Sequence, residues 1–150
     1  MSSQIRGNCA SGTPAISLAK ENLAGSTMNS IRGILNGTTN YMLDEMGAGK
    51  TYAQALKRAQ KLGYAEANPA GDTEGWDSAA KITILANVLM GGRIRLTDVR
   101  REGITGITVE DIRDARASGK RIRLVAKAYR DEGQIKAQVI PETLEENDLL

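Results

Sequence analysis

No histidine occurs in this chain, and there is one cysteine, Cys9. Without imidazole, Ser-His-Asp triads, Cys-His dyads and most zinc sites are excluded. Cys9 has no partner for an internal disulfide and no histidine to activate it. Phenylalanine is also missing and aromatic residues make up only 3% of the sequence, which leaves few stacking platforms for nucleic acid. No apolar run reaches the length of about 18 residues that a transmembrane helix needs. The opening residues, MSSQIRGNCAS, lack the apolar segment of a secretory signal. These absences point to a soluble, cytoplasmic protein with neither a membrane nor a nucleic-acid partner.

What is present suits one globular domain: 150 residues, 41% hydrophobic and 25% charged, enough to bury a core. The net charge is +2. Basic residues gather in the C-terminal half, from Arg93 through Arg100, Arg101, Arg113 and Arg116 to Lys127. Acids interleave with them, so solvated helix and strand faces explain the cluster better than a nucleic-acid patch does.

Along the chain, a Gly/Ser/Cys-rich loop precedes an apolar-periodic run from Pro14 to Gly25, read as a short helix with proline in its first turn. Met28, Ile31, Ile34 and Leu35 suggest a strand closed by the turn pair Asn36-Gly37, and Thr38 and Thr39 open a helix through Met46. Gly47-Ala48-Gly49-Lys50-Thr51 imitates a phosphate-binding loop, but the required first glycine falls on Asp44 and the preceding element is a helix. Thr51 to Gln54 is better read as a capping box. It opens a helix whose apolar stripe is Tyr52, Ala55, Leu56, Ala59 and Leu62, stopped by Gly63.

Residues 99 to 107 read as a strand and turn. Thr108 to Ser118 is a short helix capped by Thr108, stopped by Gly119, and burying Val109, Ile112 and Ala115. Strict alternation follows, with Ile122, Leu124, Ala126 and Ala128 on one face and Arg121, Arg123, Val125, Lys127 and Tyr129 on the other. Asp131-Glu132-Gly133 turns this into a second strand, Ile135 to Ile140. The hairpin is expected at or near the edge of a mixed sheet, and the tail PETLEENDLL reads as an acidic run ending on two leucines.

The chemistry concentrates between Leu62 and Lys81, where Glu66, Asp72, Glu74 and Asp77 gather around one lysine. With Asp72 or Thr73 as cap, the chain reads as one mostly buried helix to Met90, ended by Gly91-Gly92. Asp77 and Lys81 are four apart and meet on one face, with Glu74 a turn earlier and Ile84, Leu85 and Val88 continuing the stripe. An ordinary ion pair is one reading. The other is a partly desolvated lysine, tuned by a carboxylate neighbour, that donates a proton.

The order GYAEANPAGDTEGWDSAAK resembles the signature of homoserine dehydrogenases: a Gly-Tyr-x-Glu turn, an Asp-Pro step, an Asp-x-x-Gly-x-Asp run and a lysine four residues on. GILNGTTNYML at Gly33 to Leu43 and SGTPAI at Ser11 to Ile16 are similar to the same family's motifs, in the same order. The resemblance implies an α+β fold, a mixed sheet with helices on one face, and a homodimer. It implies that Glu66 and Asp72 hold the ammonium of a small amino-acid substrate, with Tyr64, Thr38 and Gly37 shaping the pocket and Gly37 and Thr38 at its polar end. Asp77 would position the reacting oxygen or a water, and Lys81 would protonate the developing alkoxide in the interconversion of aspartate 4-semialdehyde and homoserine. The backbone carbonyls of Cys9, Ser11 and Thr13 would hold a monovalent cation, although the family's companion carboxylate falls at Arg6. Two further departures are Asn68, where the family has aspartate before the proline, and the bulky Trp76.

A complete member of that family uses NAD(P) held by a Rossmann domain with Gly-x-Gly-x-x-Gly, and nothing in this sequence resembles it. Residues 1–150 are therefore expected to be one substrate-binding and dimerisation domain, incomplete at both ends relative to the family. Such a chain is expected to be inactive alone. The alternative is a non-catalytic homodimeric module that keeps the fold and an amino-acid pocket without chemistry.

Overall fold

The computed structural model describes residues 25–150 together with Gln4, Ile5, Ile16 and Glu21. The loop bearing Arg6, Cys9, Ser11 and Thr13, with its expected cation site, lies outside the described residues, as does most of the expected helix from Pro14. In chain order the elements are β1 (Gln4–Ile5), β2 (Ser30–Gly33), α1 (Gly37–Gly47), α2 (Tyr52–Lys61), α3 (Ala70–Thr73) and α4 (Trp76–Met90). A 3₁₀ turn (Leu96–Asp98), β3 (Arg100–Arg101), α5 (Val109–Ala117), β4 (Lys120–Asp131) and β5 (Gln134–Glu145) follow.

The strands form one mixed sheet in the order β1-β2-β4-β5-β3. β1 runs parallel to β2 and β3 parallel to β5, while the β2–β4 and β4–β5 pairs are antiparallel. The hairpin is thus not wholly at the edge. β4 is central, and β5 is near the edge because only the two-residue β3 lies outside it. The second strand also runs past Ile140 to Glu145. β3 pairs only with Gln138 and Val139, so β5 has no outer neighbour at Pro141 and its missing N–H is tolerated.

Helices cover one face. Met42, Leu43 and Met46 of α1, Ala55 and Ala59 of α2, Ala79, Ile82, Ala86 and Met90 of α4, and Ile112 of α5 share a core with Ile31, Leu124, Ala126, Ala128 and Val139. The alternation read in β4 holds, with one addition on the second face. Val125 is buried there with Ile34, Leu144 and Leu150, because the acidic tail folds back over the sheet. Arg121 Nη2 donates to the Asp148 carbonyl at 2.9 Å and to that of Leu150. Arg32 pairs with Glu142 at 3.0 Å and Asp148 at 3.2 Å.

The capping box of Thr51 with Gln54 forms on α2 as expected, and Thr108 caps α5 as expected, with Asp111 completing a second box there. Two expectations about exposure fail. Leu62 is 53% exposed: it caps the helix, and Gly63 at φ 78° turns the chain before that side chain can reach the core. Ile84 and Val88 are also exposed, since α4 rests on the sheet by its Ala79–Ile82–Ala86–Met90 stripe and presents the opposite side outward.

The helix read from Asp72 to Met90 is broken. α3 ends at Thr73, and Gly75 adopts φ 82°, a left-handed conformation that interrupts the helix before α4 starts at Trp76. The elbow between the two is pinned from the sheet edge. Ile104 N donates to the Thr73 carbonyl at 2.8 Å and Glu102 N to the Val139 carbonyl at 2.8 Å. Gly103 lies between them so close that an added Cβ would sit 2.3 Å from the Thr73 oxygen.

Two stability predictions follow from these contacts. Gly103→Ala must displace backbone and should cost about 1–3 kcal/mol, whereas Gly106→Ala, with open space around its Cβ position, should change stability by less than about 0.5 kcal/mol. Chemical denaturation of the two variants compares them directly.

The second concerns acid. The Lys50 ammonium, 2.8 Å from Glu45, opposed by partial burial and helped by Arg58, holds the Glu45 carboxyl below its ordinary range. Thr108 does the same for Asp111 through its side chain and backbone. A carboxyl depressed in the folded state contributes stability that is present above its unfolded pKa and lost as pH falls through the folded one. Stability should therefore decline below the ordinary carboxylate range, and Glu45→Gln should flatten that decline in acid unfolding curves.

Candidate active site

An open cleft of about 900 Å³ lies where the N-terminus of α1, the Gly63–Asn68 loop, α3 and the first turns of α4 converge. It contains Gly37, Thr38, Tyr64, Glu66, Asp72, Asp77 and Lys81, so the tertiary fold brings together every catalytic and substrate-binding residue expected from sequence. Glu74 is the exception among the acids. It sits at the elbow rather than on the Asp77–Lys81 face of α4, accepts a hydrogen bond from Trp76 Nε1 at 3.1 Å, and lies 4.0 Å from Arg101. Trp76 is not core: it is 42% exposed, with the Arg101 guanidinium 3.6 Å from its ring centroid.

Lys81 Nζ donates to Asp77 Oδ2 at 2.6 Å and to the Leu35 carbonyl at 3.0 Å. The side chains of Lys81 and Asp77 are 43% and 34% exposed, so the ammonium faces the cleft without standing free in water. The α4 register explains the pair, since residues four apart share a helix face, and Asp77 also lies in the first turn, where the helix dipole favours a carboxylate.

Asn36 is the residue that sequence reading passed over as half of a turn pair. It is buried, caps α1 by accepting from Thr39 N at 2.9 Å, and donates from Nδ2 to Asp72 Oδ1 at 2.6 Å and Asp77 Oδ2 at 3.0 Å. An asparagine between a strand and a Gly-Thr-Thr helix start is itself a cap signature, which could have singled it out. Its partner carboxylates could not be read that way, because they are more than thirty positions downstream. Asn40 and Tyr41 line the same cleft. Tyr41 packs on Tyr64 with ring centroids 5.0 Å apart.

The loop carrying Tyr64 and Glu66 is tied down by backbone and side chain alike. Thr38 Oγ1 donates to the Tyr64 carbonyl at 2.7 Å, Tyr64 N to the Ala59 carbonyl at 2.9 Å, and Gln60 Nε2 to the Glu66 carbonyl at 3.0 Å. Asn68 Oδ1 accepts from Ala70 N at 3.2 Å, so asparagine makes the turn that aspartate would make. The charged groups of the lining are Asp44, Glu66, Asp72, Asp77 and Lys81. The carboxylates outnumber the ammonium, and although Arg123 holds Asp44 at 2.7 Å, the cleft remains negative. Beside them the first turn of α1, whose cap Asn36 is bonded to Asp72 and Asp77, presents backbone N–H groups, which attract anions. Such a cleft can take a small zwitterion, amine toward the acids and carboxylate toward the helix start. Among the described residues, no group of three or more acids and cysteines has the geometry to hold a metal.

Comparison with known proteins places the chain in a family. The family model for homoserine dehydrogenase matches residues 14–150. A protein of Pseudomonas canavaninivorans described as an NAD(+)-dependent homoserine dehydrogenase is 44% identical over 142 residues, covering 94% of this chain and 40% of the relative. Among solved structures, the homoserine dehydrogenase of Thiobacillus denitrificans superposes with a TM-score of 0.87 at 40% identity, over 92% of this chain and 32% of that one. A hyperthermophilic archaeal homoserine dehydrogenase mutant in complex with NADPH gives a TM-score of 0.75 at 32% identity, over 93% of this chain and 40% of that one. The chain therefore spans between about a third and two fifths of the length of these relatives. From the three motifs, the mixed sheet carrying the cleft and the match over residues 14–150, the chain belongs to the homoserine dehydrogenase family.

Proposed function

We propose that residues 1–150 are the substrate-binding part of an NAD(P)-dependent oxidoreductase that interconverts aspartate 4-semialdehyde and homoserine in cytoplasmic amino-acid biosynthesis. The observation that carries this reading is the placement of Lys81 Nζ 2.6 Å from Asp77 in a cleft that Glu66 and Asp72 also line. On this reading Glu66 and Asp72 bind the substrate ammonium, and the N–H groups of Gly37 and Thr38 bind its carboxylate. Tyr64, its ring tilted against that of Tyr41, forms the wall along the substrate's carbon chain.

Among the described residues no turn fits a dinucleotide cofactor. The parallel pairs among the described residues are two residues each, β1 with β2 and β3 with β5, and no glycine-rich strand-to-helix turn of the dinucleotide-binding kind accompanies them. On this reading the nicotinamide that supplies or accepts the hydride is held by another part of the protein, and this chain alone should not turn over. The chain's own share is orientation and proton transfer. Asp77 holds Lys81 Nζ toward the substrate oxygen. When the aldehyde carbon gains hydride, the oxygen takes a proton from that ammonium, which becomes the neutral amine. A cation suits the step, because it stabilises the growing negative charge before it gives up its proton. Partial exposure of Lys81 lets solvent restore the proton.

In the full-length protein, Lys81→Ala should lower kcat with homoserine by about a hundredfold or more, the range of a positioned general acid, with a much smaller change in KM. Steady-state kinetics that show equal losses in both, or none, would return Lys81 to a structural role. Retained homoserine binding with no turnover in the unaltered full-length protein would favour the non-catalytic module instead. A homodimer belongs to this proposal, and sedimentation equilibrium of the full-length protein should give twice the chain mass.

A further inference from the structure

The strand-to-helix junction at Leu35 and Asn36 touches all three of the charged groups at the centre of the cleft. The Leu35 carbonyl accepts from Lys81 Nζ at 3.0 Å, and the Asn36 amide donates to Asp72 at 2.6 Å and Asp77 at 3.0 Å. Asn36 is only 5% exposed. Its amide has a single compatible orientation. Thr39 presents its backbone N–H at 2.9 Å and its hydroxyl at 3.1 Å, and together they require the oxygen on that side, which turns both N–H bonds of the amide toward the two carboxylates. An amide has two donors on one nitrogen, and here each is used on a different acid.

We propose that Asn36 is a positioning residue. Aimed by the cap of α1, its amide holds Asp72 and Asp77 in one arrangement, so that substrate meets a preformed pair of carboxylates with Lys81 already aligned. This rests on the functional reading above. Two like charges brought close repel, and hydrogen bonds from one buried donor group to both offset that repulsion while fixing where each oxygen points. The same side chain thereby links the start of a helix to the geometry of the site. The Asn36-Gly37-Thr38 triplet matches a glycosylation acceptor, but a buried nitrogen committed to two carboxylates is not available for it.

Serine separates the two roles of Asn36, because it caps helices about as well as asparagine but has one short hydroxyl that cannot cap and also bridge two acids. In the full-length protein, Asn36→Ser should keep α1 capped and unfolding cooperative, with a midpoint lowered only by the loss of the two hydrogen bonds to the acids. Its kcat/KM for homoserine should fall by about tenfold to a hundredfold, the range of one charge-assisted hydrogen bond, with a raised KM. Asn36→Asp also caps, but adds a third carboxylate and should be worse in activity than the serine variant. Unchanged kcat and KM in Asn36→Ser would reduce Asn36 to a helix cap and overturn the inference.

Crystal structures of the unaltered full-length protein and the serine variant test the same point independently of turnover. The Asp72 and Asp77 carboxylates should shift relative to one another on substitution, and coincident positions would overturn the inference. Should the unaltered protein fail to oxidise homoserine, the functional reading falls, while the crystallographic comparison still decides whether Asn36 positions the acids.

Discussion

The site depends on one docking contact, the pinning of the α3–α4 elbow to the sheet edge. Asp72 lies on one side of the elbow and Asp77 on the other, so their separation is set by the bend at Gly75 rather than by helix periodicity. The bend is held by the Ile104–Thr73 backbone hydrogen bond and by the glycine at 103 that allows two stretches of backbone to touch. Arg101 adds to it from β3, donating to the Glu74 carbonyl and lying over Trp76. Glu74 and Trp76, though inside the acid-rich stretch, hold the elbow and leave the cleft to their neighbours.

Opposite the elbow, the junction between β2 and α1 supplies the other half of the cleft. β2 is anchored in the sheet by antiparallel pairing with β4 from Ser30 to Gly33, and α1 is anchored by Met42, Leu43 and Met46 in the core. The Leu35 carbonyl, the Asn36 amide and the first N–H groups of α1 are therefore displayed from rigid elements, the condition under which polar groups are preorganised rather than recruited. Carboxylates exceed ammonium groups in this cleft. That excess of negative charge favours a ligand group that is positively charged.

Local pattern carried most of the secondary structure. The capping box at Thr51, the cap at Thr108, the stops at Gly63, Gly91 and Gly119, and the alternation of β4 all lie in a few adjacent residues and appear as read. Where the reading failed, a distant contact decided. The apolar run through Ile84 and Val88 promised burial, but α4 has one side on the sheet and none of the core reaches the other. The second strand, read to Ile140, continues through Pro141 because the shortness of β3 leaves that edge open. The acidic tail carried no local sign of its partners, yet Arg32 and Arg121 draw it over Val125.

By itself the sequence determined the family motifs, the helix caps and stops, the pairing of Asp77 with Lys81 one helical turn apart, and the exclusion of histidine-based chemistry. These depend on residue type and short spacing, which folding does not alter. Only the tertiary structure decided that Glu74 leaves the cleft, that Asn36 joins two carboxylates, and that Leu35 shares Lys81 with Asp77. The longest of these reaches, 46 positions from Leu35 to Lys81, exceeds any periodicity and exists because the sheet and the pinned elbow bring the two segments to one place.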